Sequence, residues 1–261
     1  VAAAWHDDRM SRSPDESPPS LLDRWLGLAR RAAPGAAEVV LRETGTDLLA
    51  RYRETHRHYH DLRHLTEVLE WLGWLAADGV PESAEDAASA ENAGGDDTLV
   101  AATLAAWWHD AVYDPRRTDN EERSAALART ALSDLAVEPA LAAEVGRLVE
   151  LTARHRTDPG DVAGTLLRDA DLAILGAATD RYAEYAAGIR AEFGHLPDDV
   201  FRSRRADVLR AFGTLPTIYA TEAARCRLES AARRNLAAEL AHLTSGAGAP
   251  AATAVRRPGA S

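Results

Sequence analysis

Apolar residues along this chain recur at the three- and four-residue spacing of a helix. Leu65, Val68, Leu69, Leu72 and Leu75 share one helical face. So do Leu141, Val145, Leu148, Val149 and Thr152, with Pro139 placed for a first turn. Tyr182, Tyr185, Ile189 and Phe193 form another stripe, followed by Phe201, Val208, Leu209 and Phe212. A last long helix is predicted from about Thr217 to Leu243, carrying Ile218, Leu228, Leu236 and Leu240. No segment keeps the apolar/polar alternation of a strand between turn dipeptides. The pattern predicts an all-α fold, a single-domain helical bundle of about eight to ten helices over residues 20–244. Residues 1–19 and 245–261 read as disordered tails, and the acidic, small-residue stretch 81–97 as a flexible loop.

Composition narrows the partners. The chain has 261 residues, enough for one sizeable domain. Its net charge of −11 argues against a broad nucleic-acid or anionic-membrane surface. All the strongly basic residues are arginine, so a small anionic ligand needs a local arginine cluster. Cys226 is the single cysteine, which rules out an intrachain disulfide and suits a reducing compartment. The longest apolar run, Leu99–Trp108, is well short of the ~20 residues of a membrane span. VAAAWHDDRM lacks a charged region followed by an apolar one, so no signal peptide is expected and the expected location is cytoplasmic.

Three segments carry candidate chemistry. RYRETHRHYHDLRHL (51–65) holds His56, His58, His60 and His64. WWHDAVYD (107–114) drives an apolar run into His109 and Asp110. LLRDADLAILG (166–176) places Asp169 and Asp171 inside a helix made mostly of leucine, isoleucine and alanine. An unpaired carboxylate in such surroundings costs several kcal/mol, so it must be protonated, paired or metal-bound. Arg168 adjoins both aspartates and cannot easily face both. Singly, each motif has a plain reading: a solvated surface histidine, a chance dipeptide, a salt-bridged aspartate. Together they supply the imidazole and carboxylate donors that a divalent cation takes from several helices of a bundle.

The order of these motifs resembles the HD-domain superfamily of metal-dependent phosphohydrolases. YHDLRHL, WWHDAVYD, DNEERSA and RDADLAILG are more closely similar to the predicted HD phosphohydrolases of many bacteria, and IYATEAARCRLESAARRNLAAEL is similar to their later part. The resemblance runs from about Arg51 to Leu240. It implies an HD-type helical bundle, a divalent cation (Mn, Fe, Zn, Co or Mg) and hydrolysis of a small anionic phosphoester, a nucleotide being the expected class.

Residue by residue, the resemblance makes His109 and Asp110 metal ligands and Asp171 the last ligand. Asp171 would also be catalytic, bridging the metal to water or to a second metal. YHDLRH resembles the YHNxxH segment of cyclic-nucleotide phosphodiesterases, which makes His60 the proton donor and His64 the ligand, with Asp61 in place of asparagine. A simpler superfamily alignment makes His60 the ligand. His64 is preferred because the apolar stripe fixes it on a helix, while His60 precedes the expected N-cap Asp61. Asp169 would orient a histidine ligand or meet Arg168.

Arg57, Arg63, Arg116, Arg117, His155 and Arg156 are candidates for phosphate contact. Glu121 and Glu122 are open between the site and the helix start, where Asp119 and Glu122 fit a reciprocal cap. Two other functions stay open. One is a nucleotide-sensing module without turnover. The other is a di-iron oxygenase, for which His155 is the one histidine between Asp110 and Asp171, a histidine short of six ligands.

Overall fold

The computed structural model describes residues 20–78 and 95–245. Among the described residues there is no strand, and ten α-helices follow one another. They are α1 (Leu21–Ala32), α2 (Glu38–Arg51), α3 (Leu62–Asp78), α4 (Gly95–Trp108) and α5 (Asn120–Asp134). After them come α6 (Pro139–Thr152), α7 (Val162–Asp171), a 3-10 turn over Leu172–Gly176, α8 (Thr179–Glu192), α9 (Asp198–Gly213) and α10 (Glu222–Ser245). The all-α bundle expected from the periodicity is the fold observed. No described helix is long and apolar enough to cross a membrane.

Local sequence starts these helices where caps allow. Ser20 and Asp23 form a reciprocal capping box on α1, Pro139 occupies the first turn of α6, and Asp161 accepts from Gly164 N at the start of α7. Before α3, Asp61 accepts from the backbone N–H of Arg63 at 2.8 Å and of His64 at 3.2 Å, the capping role expected of it.

The core is built around α4. From Val100 to Trp108 every residue but Thr103 is buried, and α1, α3, α5, α6 and α7 all pack on it. Alanines at 101, 102, 105 and 106 let those neighbours come close, while Trp107 and Trp108 fill the space toward α1. Trp25 meets both tryptophans edge-on, with centroids 5.6 and 6.1 Å away, and donates its indole N–H to the Leu41 carbonyl at 2.8 Å. Gly45 is what admits this indole, since a Cβ there would lie 2.2 Å from Trp25 Cδ1.

Four sequence expectations need correction. Gly95 to Asp97, assigned to the acidic loop, are the first residues of α4; the rest of that loop and the tails over 1–19 and 246–261 lie outside the described residues. Ser245, assigned to the tail, ends α10. The last helix begins at Glu222 and not near Thr217, because the backbone N–H groups of residues 218–221 are taken by side-chain carboxylates of Glu229 and Asp169. On α9, Val208 is exposed and the buried position goes to Arg205, which pairs with Glu239 at 2.8 Å.

Candidate metal centre

Four side chains from three places along the chain converge at the base of α3, α4 and α7. His64 sits on the first turn of α3, and His109 and Asp110 leave the C-terminal end of α4, where the helix dipole favours a cation. Asp171 is the last residue of α7, just before the helix tightens into the 3-10 turn. His64 Nε2 and His109 Nε2 lie 3.0 Å apart. Asp110 Oδ2 is 3.0 Å from the His109 nitrogen and 3.3 Å from that of His64, and Asp171 Oδ1 is 3.3 Å from His64 Nε2 and 3.7 Å from His109 Nε2.

Those separations suit a shared ion. Donor atoms each ~2.1 Å from one cation are spaced about 3.0–3.4 Å from one another at tetrahedral or octahedral angles. His109 Nδ1 donates to the Ala106 carbonyl at 2.8 Å, so the ring proton is on Nδ1 and the Nε2 lone pair faces the other donors. Both imidazoles are only 2% exposed. His64, His109 and Asp171 thus form a buried group that could hold a metal ion. Asp110 stands as close to both histidines as Asp171 does.

Electrostatics agree with that demand for positive charge. Burial alone would lower the His64 imidazole, yet the Asp110 and Asp171 carboxylates push it up to about 10. His109 is raised against burial for the same reason. Burial would raise both aspartates, but histidine neighbours hold Asp110 well below the usual carboxylate range and lower Asp171 too.

His60 lies beside this group and is fixed from behind. Its Nδ1 donates to Glu192 Oε2 at 2.7 Å, and Tyr113 donates its hydroxyl to the same oxygen at 2.8 Å. The other oxygen of Glu192 accepts the backbone N–H groups of His58, Tyr59 and His60 at 2.8–3.0 Å. Burial would raise the Glu192 carboxyl, but His60 and these amides bring it down to about 2. Gly188 lets α8 come this close, since a Cβ there would sit 2.8 Å from the His58 carbonyl oxygen.

His155 donates through Nε2 to Asp171 Oδ2 at 2.8 Å, which turns the other oxygen toward the histidines. His155 has φ 49°, a left-handed conformation that is uncommon without glycine. Arg168 holds it there, donating Nε to the His155 carbonyl at 2.7 Å while Nη1 pairs with Asp169 at 3.0 Å.

The remaining candidates fall elsewhere. Asp169 meets Arg168, one of its two expected roles, but touches no histidine ligand; it accepts from Ala220 N, Thr221 N and Thr221 Oγ1. Arg57 is not placed for phosphate. Its buried guanidinium donates to the carbonyls of His60 at 3.0 Å and Asp110 at 2.7 Å, tying the two histidine segments together. Arg63 is half-exposed at the edge of a cleft and pairs with Glu184 and Glu67.

Glu122 is exposed on α5, outside the converging group, and its expected reciprocal cap is absent because Asp119 binds Arg117 instead. His56 donates to the Tyr113 carbonyl at 2.8 Å. His56, His58 and Arg116 line a separate cavity of about 440 Å³, and Arg117 and Arg156 are exposed.

Two residues of this neighbourhood escaped sequence reasoning. Tyr113 lies within WWHDAVYD itself. Glu192 had a signal, because it falls three residues after Ile189 and seven after Tyr185, a carboxylate on the buried face of α8.

Comparison with protein-family models, curated proteins and solved structures found no match.

Proposed function

We propose that this protein is a metal-dependent phosphohydrolase that cleaves a small phosphoester, a nucleotide being the favoured class. The observation that carries the proposal is the convergence of His64, His109, Asp110 and Asp171 with His60 held beside them by Glu192. When bound there, a divalent cation lowers the pKa of its water from ~15.7 towards ~7 and screens the phosphoryl oxygens.

The chain's own residues supply the rest. Glu192 fixes the His60 ring through Nδ1, leaving Nε2 as the nitrogen that hands a proton to the leaving oxygen. His64 Nε2 lies among the other donor atoms and His60 stands outside them, which favours His60 as proton donor and His64 as ligand. His155 turns Asp171 so that one carboxylate oxygen faces the histidines. Burial excludes bulk water from both imidazoles, which strengthens every charge interaction at the phosphoryl group.

A phosphate-release screen over nucleotides and sugar phosphates with several divalent metals, alongside elemental analysis of the purified protein, tests the proposal. Release that depends on added metal supports it. Tight nucleotide binding with no release under any metal replaces it with the sensing reading.

A further inference from the structure

The cleft that opens onto the candidate metal centre is apolar on its walls and self-neutralised at its rim. It measures about 320 Å³ and has His64 and Asp171 at its base. That is near the small end of the ~300–1,000 Å³ usual for ligand sites. Val68 and Trp71 of α3 and Ile174 of the 3-10 turn are among the residues that line it, and the Arg227 guanidinium lies 5.4 Å from the Trp71 ring centroid.

Its two arginines are already matched. Arg181 donates Nε and Nη2 to the two oxygens of Glu67, both at 2.7 Å, and Arg63 donates to Glu184 at 2.7 Å and to Glu67 at 3.2 Å. Glu70, exposed on the same rim, adds a negative charge.

We infer that this cleft takes the ring-bearing body of a phosphate monoester about the size of a nucleoside monophosphate, and discriminates against di- and triphosphates. The inference rests on the phosphohydrolase reading for what occupies the base of the cleft. One phosphoryl group meets the metal centre, and a flat ring packs between Trp71 and Ile174. A second or third phosphate meets guanidinium groups committed to Glu67 and Glu184, and the carboxylate of Glu70 beyond them. Recruiting either arginine draws it away from a glutamate it already holds.

Calorimetric titration of the full chain with AMP, GMP, ADP and ATP, with Mn²⁺ in excess of nucleotide, tests this. The monophosphates are expected to bind at least ~10-fold more tightly than ADP and ATP. Trp71→Ala is expected to weaken AMP ~10-fold, as loss of a stacking surface does. Glu70→Arg, at an exposed position, is expected to narrow the preference for AMP over ADP.

Equal affinities in the unaltered protein overturn the assignment, as does a preference unmoved by Glu70→Arg in folded protein. Phosphate release read in the same samples separates the two proposals. Selective binding of monophosphates without release upholds the cleft and removes the hydrolase reading. Release with ATP preferred does the reverse.

Discussion

His155 Nε2 lies 2.8 Å from Asp171 Oδ2, and the residue that makes this bond sits at φ 49°. A left-handed backbone costs an ordinary side chain roughly 1–2 kcal/mol, and here it aims an imidazole at a carboxylate on the neighbouring helix. His155→Ala is expected to free that carboxylate and weaken Mn²⁺ binding ~10–100-fold while the fold persists. Metal titration followed by calorimetry checks it, and an unchanged Kd would show that Asp171 keeps its orientation unaided.

The ligands and the proton donor should separate on mutation. Asp110→Ala and Asp171→Ala are each expected to leave purified protein without bound metal by elemental analysis. His60→Asn is expected to keep the metal and slow phosphate release ~10²–10⁴-fold. Loss of metal in His60→Asn would exchange the roles of His60 and His64.

Glu192 makes the fold acid-sensitive. Its folded carboxyl stands at about 2 against an ordinary 4.5, so its stabilisation is complete above 4.5 and disappears as pH falls through 4.5 to about 2. At ~1.4 kcal/mol per pH unit, that window holds roughly 3–4 kcal/mol. Denaturant unfolding between pH 2 and 6 is expected to show the loss. In Glu192→Gln the decline should be shallower, with the part due to Asp110 and Asp171 remaining.

Asp169 is expected to matter for stability more than for chemistry. Its buried carboxylate takes the amides of Ala220 and Thr221 and the Thr221 hydroxyl, and matches Arg168. Asp169→Ala leaves that guanidinium buried without its carboxylate and should cost about 3–5 kcal/mol. Equilibrium unfolding measures it, and a loss below ~1 kcal/mol would contradict the bonding described.

The same residue shows where sequence reading stops. The stripes on α3 and α6 were legible because burial selects apolar side chains at a fixed period, and the histidine and aspartate motifs stood out against them. Partners made of backbone leave no such mark. Asp169 binds amides some fifty positions away and Arg57 binds carbonyls, so the one looked free to orient a histidine and the other to meet phosphate. Glu192 grips three successive amides from a helix more than 130 residues distant, and only its place on an apolar face hinted at it. On α9, Val208 of the expected stripe is exposed while Arg205 is buried, where Glu239 on α10 gives the arginine a partner.

Enclosing Leu99–Trp108 within five neighbouring helices also sets the order in which the molecule comes apart. Amide hydrogens of that helix are expected to exchange only when the whole bundle opens, whereas the outer helices can open and reclose around it. His109 and Asp110, carried at its end, therefore stay in place through peripheral fluctuations. An ion held there would reach solvent through the cleft that His64 and Asp171 line, without the central helix having to open.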